Sequence, residues 1–181
     1  MLRMIAALGL ASAATLATAA VSTASNLDSK APWWEKVTVT ISGDGQPQGC
    51  RFESSFKPGN GTDCEVQSSR AAMAKTSTGS KDSYTRITFE RRFSPGQPDP
   101  AGLPTGDKLL GQQVMALAIG AKGTVEGCRI VSSDGDMRPD YGCKEASAEK
   151  FQASAQTGTT TTTTHEGYMT ILVYGHSEHV V

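Results

Sequence analysis

Few residues in this chain could do chemistry, and they are scattered. The three histidines, His165, His176 and His179, all fall near the C-terminus. His176 and His179, with Glu166 and Glu178 close by, supply the donor types that hold a divalent metal. Two histidines three apart share a face only on a helix, however, and Gly175 to Val181 carries no helical signal, so this stretch reads as a solvated tail. The pairs Ser54-Ser55 and Ser132-Ser133 lack the G-x-S-x-G elbow of a serine nucleophile, and no histidine recurs beside both, which leaves them turn and cap residues. Arg51 and Arg129 could grip a carboxylate or phosphate, but solvated strand positions are the favoured reading. Trp33-Trp34 fits packing against a sheet. No catalytic constellation emerges. The expectation is a protein that is not an enzyme, with no catalytic residue, no metal and no cofactor.

The cysteines carry more information. Cys50, Cys64, Cys128 and Cys143 are an even set with no C-x-x-C pair, which argues against structural zinc and for disulfides in an exported chain. Export is also the reading of the first residues. Met1-Leu2-Arg3 leads into an apolar run from Met4 to about Val21, whose end offers the small-x-small patterns Ala17-Thr18-Ala19 and Ser22-Thr23-Ala24. That is the pattern of a secretory signal peptide over residues 1–24. Ser12, Thr15, Thr18, Ser22 and Thr23 dilute the run below the strongly apolar stretch of about 20 residues that a spanning helix needs.

Cleavage after Ala24 would leave 157 residues, enough for one domain or two small ones, and would remove only Arg3 among the charges, taking the net charge from −1 to −2. A near-neutral chain gives no electrostatic case for nucleic acid, and membrane contact is expected only through the signal segment if it stays attached. Aromatic residues make up 6% of the chain against 19 glycines. So thin a core needs covalent staples.

The chain contains an internal repeat. Residues 41–55, ISGDGQPQGCRFESS, align without gaps on 119–133, IGAKGTVEGCRIVSS, with seven of 15 positions identical. The matches are Ile41/Ile119, Gly45/Gly123, Gly49/Gly127, Cys50/Cys128, Arg51/Arg129, Ser54/Ser132 and Ser55/Ser133, and Phe52/Ile130 is an apolar match. Two copies of one fold should close the same bond in each, so the predicted disulfides are Cys50–Cys64 and Cys128–Cys143.

In the first copy Val37, Val39 and Ile41 alternate with Thr38 and Thr40, the period of a half-buried strand. Gly43-Asp44-Gly45 signals a turn, and a second strand follows through Cys50, Arg51 and Phe52. Thr62 or Asp63 is a candidate cap for a helix carrying Cys64 to about Lys75, and Tyr84 to Phe93 reads as a third strand. The second copy repeats the order, with strands Val114 to Ile119 and Val125 to Val131, a helix capped by Asp140 and running through Cys143 to about Phe151, and a last strand from Tyr168 to Tyr174. The threonine run Thr159 to Thr164 reads as a low-complexity insertion. Ser94 to Gln113 holds four of the eight prolines and four glycines, which marks a linker. The predicted fold class is α+β: tandem strand–strand–helix–strand modules at 31–93 and 114–181, each a small antiparallel sheet with one helix, joined by a 94–113 linker.

The second copy, from roughly Val114 to Val173, resembles the C-terminal domain of the TonB family. The resemblance rests on Gly123-Thr124-Val125 between two strands, the corner Ser132-Ser133-Asp134-Gly135, the helix start Pro139-Asp140 and Phe151 near the helix end. The first copy is a more diverged version. The resemblance implies a periplasmic protein of a Gram-negative bacterium that presents a sheet edge to envelope proteins, among them outer-membrane receptors or TonB-system components, in connection with TonB-dependent transport. The third strands are the expected edges: Ile87 and Phe89 in one copy, Met169, Ile171 and Val173 in the other. The alternative is a structural periplasmic protein whose two modules pair with each other in one sheet and consume those edges.

Overall fold

A computed structural model of the chain describes residues 27–43, 45–57, 59, 61–64, 84–98, 102–137, 140–152 and 164–177. The expected signal peptide, the helix expected after Cys64, the threonine run short of Thr164 and His179 lie outside the described residues.

Seven strands are described: β1 (Trp33–Ile41), β2 (Pro47–Ser54), β3 (Thr62–Asp63), β4 (Arg86–Pro95), β5 (Asp107–Ile119), β6 (Val125–Gly135) and β7 (His165–His176). They form one sheet in the order β3-β2-β1-β4-β7-β5-β6, and every neighbouring pair is antiparallel. The alternation read from Val37, Val39 and Ile41 places them across from Phe52, Cys50 and Pro47 of β2.

The repeat is visible down to single hydrogen bonds. Ser42 N–H donates to the Gln46 carbonyl at 2.8 Å, as Gly120 N–H donates to that of Thr124 at 2.9 Å. Gly45 and Gly123 close these turns at φ 80° and 76°, a region where a Cβ is strained. Each hairpin also slips register at the matching point, Thr40/Ile41 and Ala118/Ile119.

The predicted α+β class with a helix in each module is overturned. The molecule is mostly antiparallel sheet, and the helix among the described residues is α1 (Cys143–Ala148), six residues long. Its expected extension to Phe151 fails because Phe151 belongs to the core. Glu149 turns extended at ψ 151°, Lys150 bridges Thr124, and Phe151 bridges Leu27 while its N–H donates to Gly123 at 2.8 Å. Asp140 does not cap α1; Gly142 precedes the helix, and Glu145 reaches back to accept its N–H at 2.9 Å. In the first copy Thr62 and Asp63 do not cap a helix either, being the two residues of β3.

The linker is shorter than its composition implied. β4 runs to Pro95 and β5 starts at Asp107, so residues 94–95 and 107–113 are strand. With that connection the modules merge: Arg86↔His176 through Pro95↔Gly167 join β4 to β7. Thr40↔Arg86 in the first module corresponds to Ala118↔Glu166 in the second, so the pair Arg91↔Ile171 maps onto itself and marks an approximate two-fold at the centre of the sheet.

The core lies where α1 meets the sheet. Trp33, Phe93, Met115, Leu117, Ile119, Met169 and Ile171 pack with Leu27, Ala146 and Phe151. Trp33 stacks on Phe93 with ring centroids 5.6 Å apart, and Phe93 meets Phe151 at 5.1 Å. The opposite face of the central strands is buried too, at Thr88, Glu90, Thr170, Leu172 and Tyr174.

Candidate functional site

The strands expected to offer free edges do not. Ile87 and Phe89 lie in β4 between β1 and β7, and Met169, Ile171 and Val173 lie in β7 between β4 and β5. The physical reason is that each third strand satisfies its outer backbone groups on the other: Phe89 pairs with Val173, and Phe93 with Met169. What the pairing leaves outside are the second strands.

Those two outer strands differ. β2 is partly covered, because β3 pairs with it at Arg51↔Asp63 and Phe52↔Thr62, and Cys64 N–H donates to the Cys50 carbonyl at 3.1 Å. β6 pairs only with β5 among the described residues, and its residues from Arg129 onward are exposed. Ile130 and Val131 are 55% and 45% exposed, two of the three large apolar side chains that face water among the described residues. Val131 has no partner across β5, since Val114 pairs with Ser132 and Met115 with Ile130, so it sits in a bulge that breaks the edge in two.

The backbone direction at this edge follows from the repeat. The Cys50 carbonyl faces β3. Along an antiparallel strand every second residue directs its N–H and C=O to the same side. Phe52 therefore faces outward as well, and by equivalence so do Cys128 and Ile130 on β6. The outward groups of Ile130 form the centre of an open acceptor for another strand.

One disulfide and one ion network hold β6 and its surroundings. The disulfides are Cys50–Cys64 and Cys128–Cys143, as the repeat predicted, with Cα atoms 5.0 and 5.5 Å apart. They are bonds of an oxidising, extracytoplasmic compartment. The second ties the first residue of α1 to β6. The other end of α1 is held by Arg91 of β4, which ion-pairs with Glu35 of β1 at 2.6 Å and with Glu149 after α1. Tyr141 donates its hydroxyl to Glu149 at 2.9 Å. The guanidinium lies 5.4 Å from the Trp33 ring and 5.8 Å from that of Tyr141. Burial alone would lower the pKa of Arg91, but Glu149 and Glu35 outweigh it and hold the side chain charged more firmly than usual. Burial and then the Glu149 charge push the Tyr141 phenol well above the ordinary tyrosine range, against the pull of Arg91.

This network explains why β6 stays open. In the first module the residues just before the second cysteine, Thr62 and Asp63, form β3 on the outer strand. In the second module the matching residues are drawn elsewhere. Tyr141 packs against the core and bonds Glu149, its carbonyl accepts from Gln113 at 3.2 Å, and Gly142 caps α1.

The remaining sequence candidates have local roles. His176 bonds Asp107 through Nδ1 at 2.8 Å, and Asp107 also pairs with Arg86 at 3.2 Å. His165 Nε2 is buried without a hydrogen-bond partner. Among the described residues no cluster of three metal-ligating side chains occurs. Ser55 bonds both backbone groups of Trp34. Arg51 and Arg129 are exposed, the latter 3.5 Å from Glu166. No family model, no curated protein and no solved structure matches the chain.

Reading the sequence missed the Arg91 network, because the two carboxylates that Arg91 joins lie 56 and 58 residues from it along the chain and no local pattern links them. The edge residues Arg129 and Ile130 were within reach, since the repeat aligns them with Arg51 and Phe52.

Proposed function

We propose that this is a periplasmic protein of TonB C-terminal type that binds envelope proteins by accepting an extended segment along the outer side of β6. The observation that carries this reading is the β6 edge, uncovered among the described residues and with Ile130 and Val131 in water, in a sheet whose other long edge is partly covered. Main-chain hydrogen bonds to the outward groups of β6 supply affinity, and the exposed apolar pair supplies contact area. The repeat supports the family reading, and the disulfides support export. The favoured partners are outer-membrane receptors and other components of a TonB system.

A second reading has its own observation. The β4–β7 ladder merges the modules and uses up the third-strand edges, which suits a structural protein of the envelope with no part in transport.

A photo-crosslinking residue at Val131, with the same residue at Lys36 as control, separates the two in cells. Adducts to an envelope protein at Val131 and not at Lys36, mapped to an extended segment of that protein, support edge binding. Adducts at neither site, or equally at both, favour the structural reading.

A further inference from the structure

Resting on that reading of the β6 edge, we infer that the incoming strand takes on β6 the register that β3 takes on β2, and that its segment is small–β-branched–acidic, with the carboxylate opposite Arg129. The chain carries its own template for this complex. In the first module Gly61-Thr62-Asp63 runs antiparallel to β2, with Asp63 across from Arg51 and Thr62 across from Phe52. The internal repeat equates Arg51 with Arg129 and Phe52 with Ile130. The same hairpin, the same register slip and the matching disulfide surround both positions.

The two positions differ in what lies on them. Phe52 is half-buried beside Thr62, whereas Ile130 is 55% exposed. The residues that would cover Ile130 in the second module, Tyr141 and Gly142, are committed to Glu149 and to α1. β6 is thus a half-built copy of the β2–β3 pair, and a segment from another protein completes it.

Chemistry follows position by position. Arg129 is 66% exposed, with Glu166 of β7 3.5 Å away, so it can take a second carboxylate from an opposing strand, where unlike charges stabilise the pair. A β-branched residue suits an extended backbone opposite Ile130. The residue before it should be small. A Cβ at Gly61 would lie 2.3 Å from Arg51 Nε, so a side chain there would displace the guanidinium of the arginine that stands across from Asp63 in register.

The probes are three synthetic octapeptides. One is Gly-Asn-Gly-Thr-Asp-Ser-Glu-Val, the template with serine for cysteine; one has lysine in place of its aspartate; one is a neutral threonine–valine alternation. Each is titrated into the full chain while the β6 amides are followed by NMR. The inference expects the acidic peptide to shift the amides of Cys128 and Ile130 and to bind about fivefold more tightly than the lysine peptide, a preference that Arg129→Glu reverses. Ile130→Pro removes the outward N–H at an edge position that tolerates proline, and should abolish the shifts while the spectrum of β4 and β7 is kept. Equal binding of all three peptides at β6 overturns the register and charge inference and leaves edge binding standing. No shift at β6 with any peptide overturns both.

Discussion

Arg91 is a charge at a place where the symmetry of the molecule puts an apolar residue, Ile171. It survives there because Glu35, Glu149, Trp33 and Tyr141 surround it. Removing one member of such a buried network strands the others, which costs more than the net worth of the pair. Arg91→Met should therefore destabilise the chain by about 3 kcal/mol in urea unfolding, and adding Glu35→Gln should restore part of the loss; a change under about 0.5 kcal/mol would mean the network is solvated. The buried phenols give a second test at this scale. Tyr174 donates to Glu90 at 2.8 Å, and burial and that bond raise its pKa as burial and Glu149 raise that of Tyr141. For a group whose folded pKa is raised, the stabilisation is complete below the unfolded value, about 10 for tyrosine, and fades as pH rises beyond it. Absorbance at 295 nm should therefore show a fraction of the tyrosine still neutral at about pH 11, and that fraction should shrink with Tyr141→Phe and again with Tyr174→Phe. Simple ionisation of all the tyrosine near the ordinary value in the folded chain would refute the burial described.

The strands were legible where alternation was clean. Val37, Val39 and Ile41 announced β1, and the aligned Gly45 and Gly123 announced its turn and the matching one. The helix was not legible, because its end is decided by tertiary pull. Phe151 enters the core and bonds Gly123, and Glu149 turns toward Arg91, neither of which is written in residues 143–151. Composition misled at the linker, where Asp107 to Gln113 looks like a breaker-rich connection but extends β5 along β7. The element most dependent on covalent help is α1, too short to be stable alone and tied at Cys143 to β6. Replacing Cys128 and Cys143 by serine together should lower stability by about 3 kcal/mol, the chain-entropy value for a loop of this size, and should release the Tyr141 side chain, seen as a fall in its phenol pKa. Unchanged denaturation midpoints would show that the bond adds nothing to the packing of α1.

At the scale of the whole molecule the duplication was visible in the sequence, and so was the bond that each copy closes on itself. The way the copies meet was not. Each third strand has the pattern of a half-buried strand whether its outer neighbour is water, a partner or the other copy, and only the ladder from Arg86↔His176 to Pro95↔Gly167 decides among these. That ladder moves the open edge from β4 and β7 to β6, and with it the site. Amide hydrogen exchange resolved by residue tests this placement most directly. The account predicts that Ile87, Phe89, Met169, Ile171 and Val173 exchange only through global opening while the outward amides of Cys128 and Ile130 exchange fast. Fast exchange along β4 or β7 with Ile130 protected would contradict it.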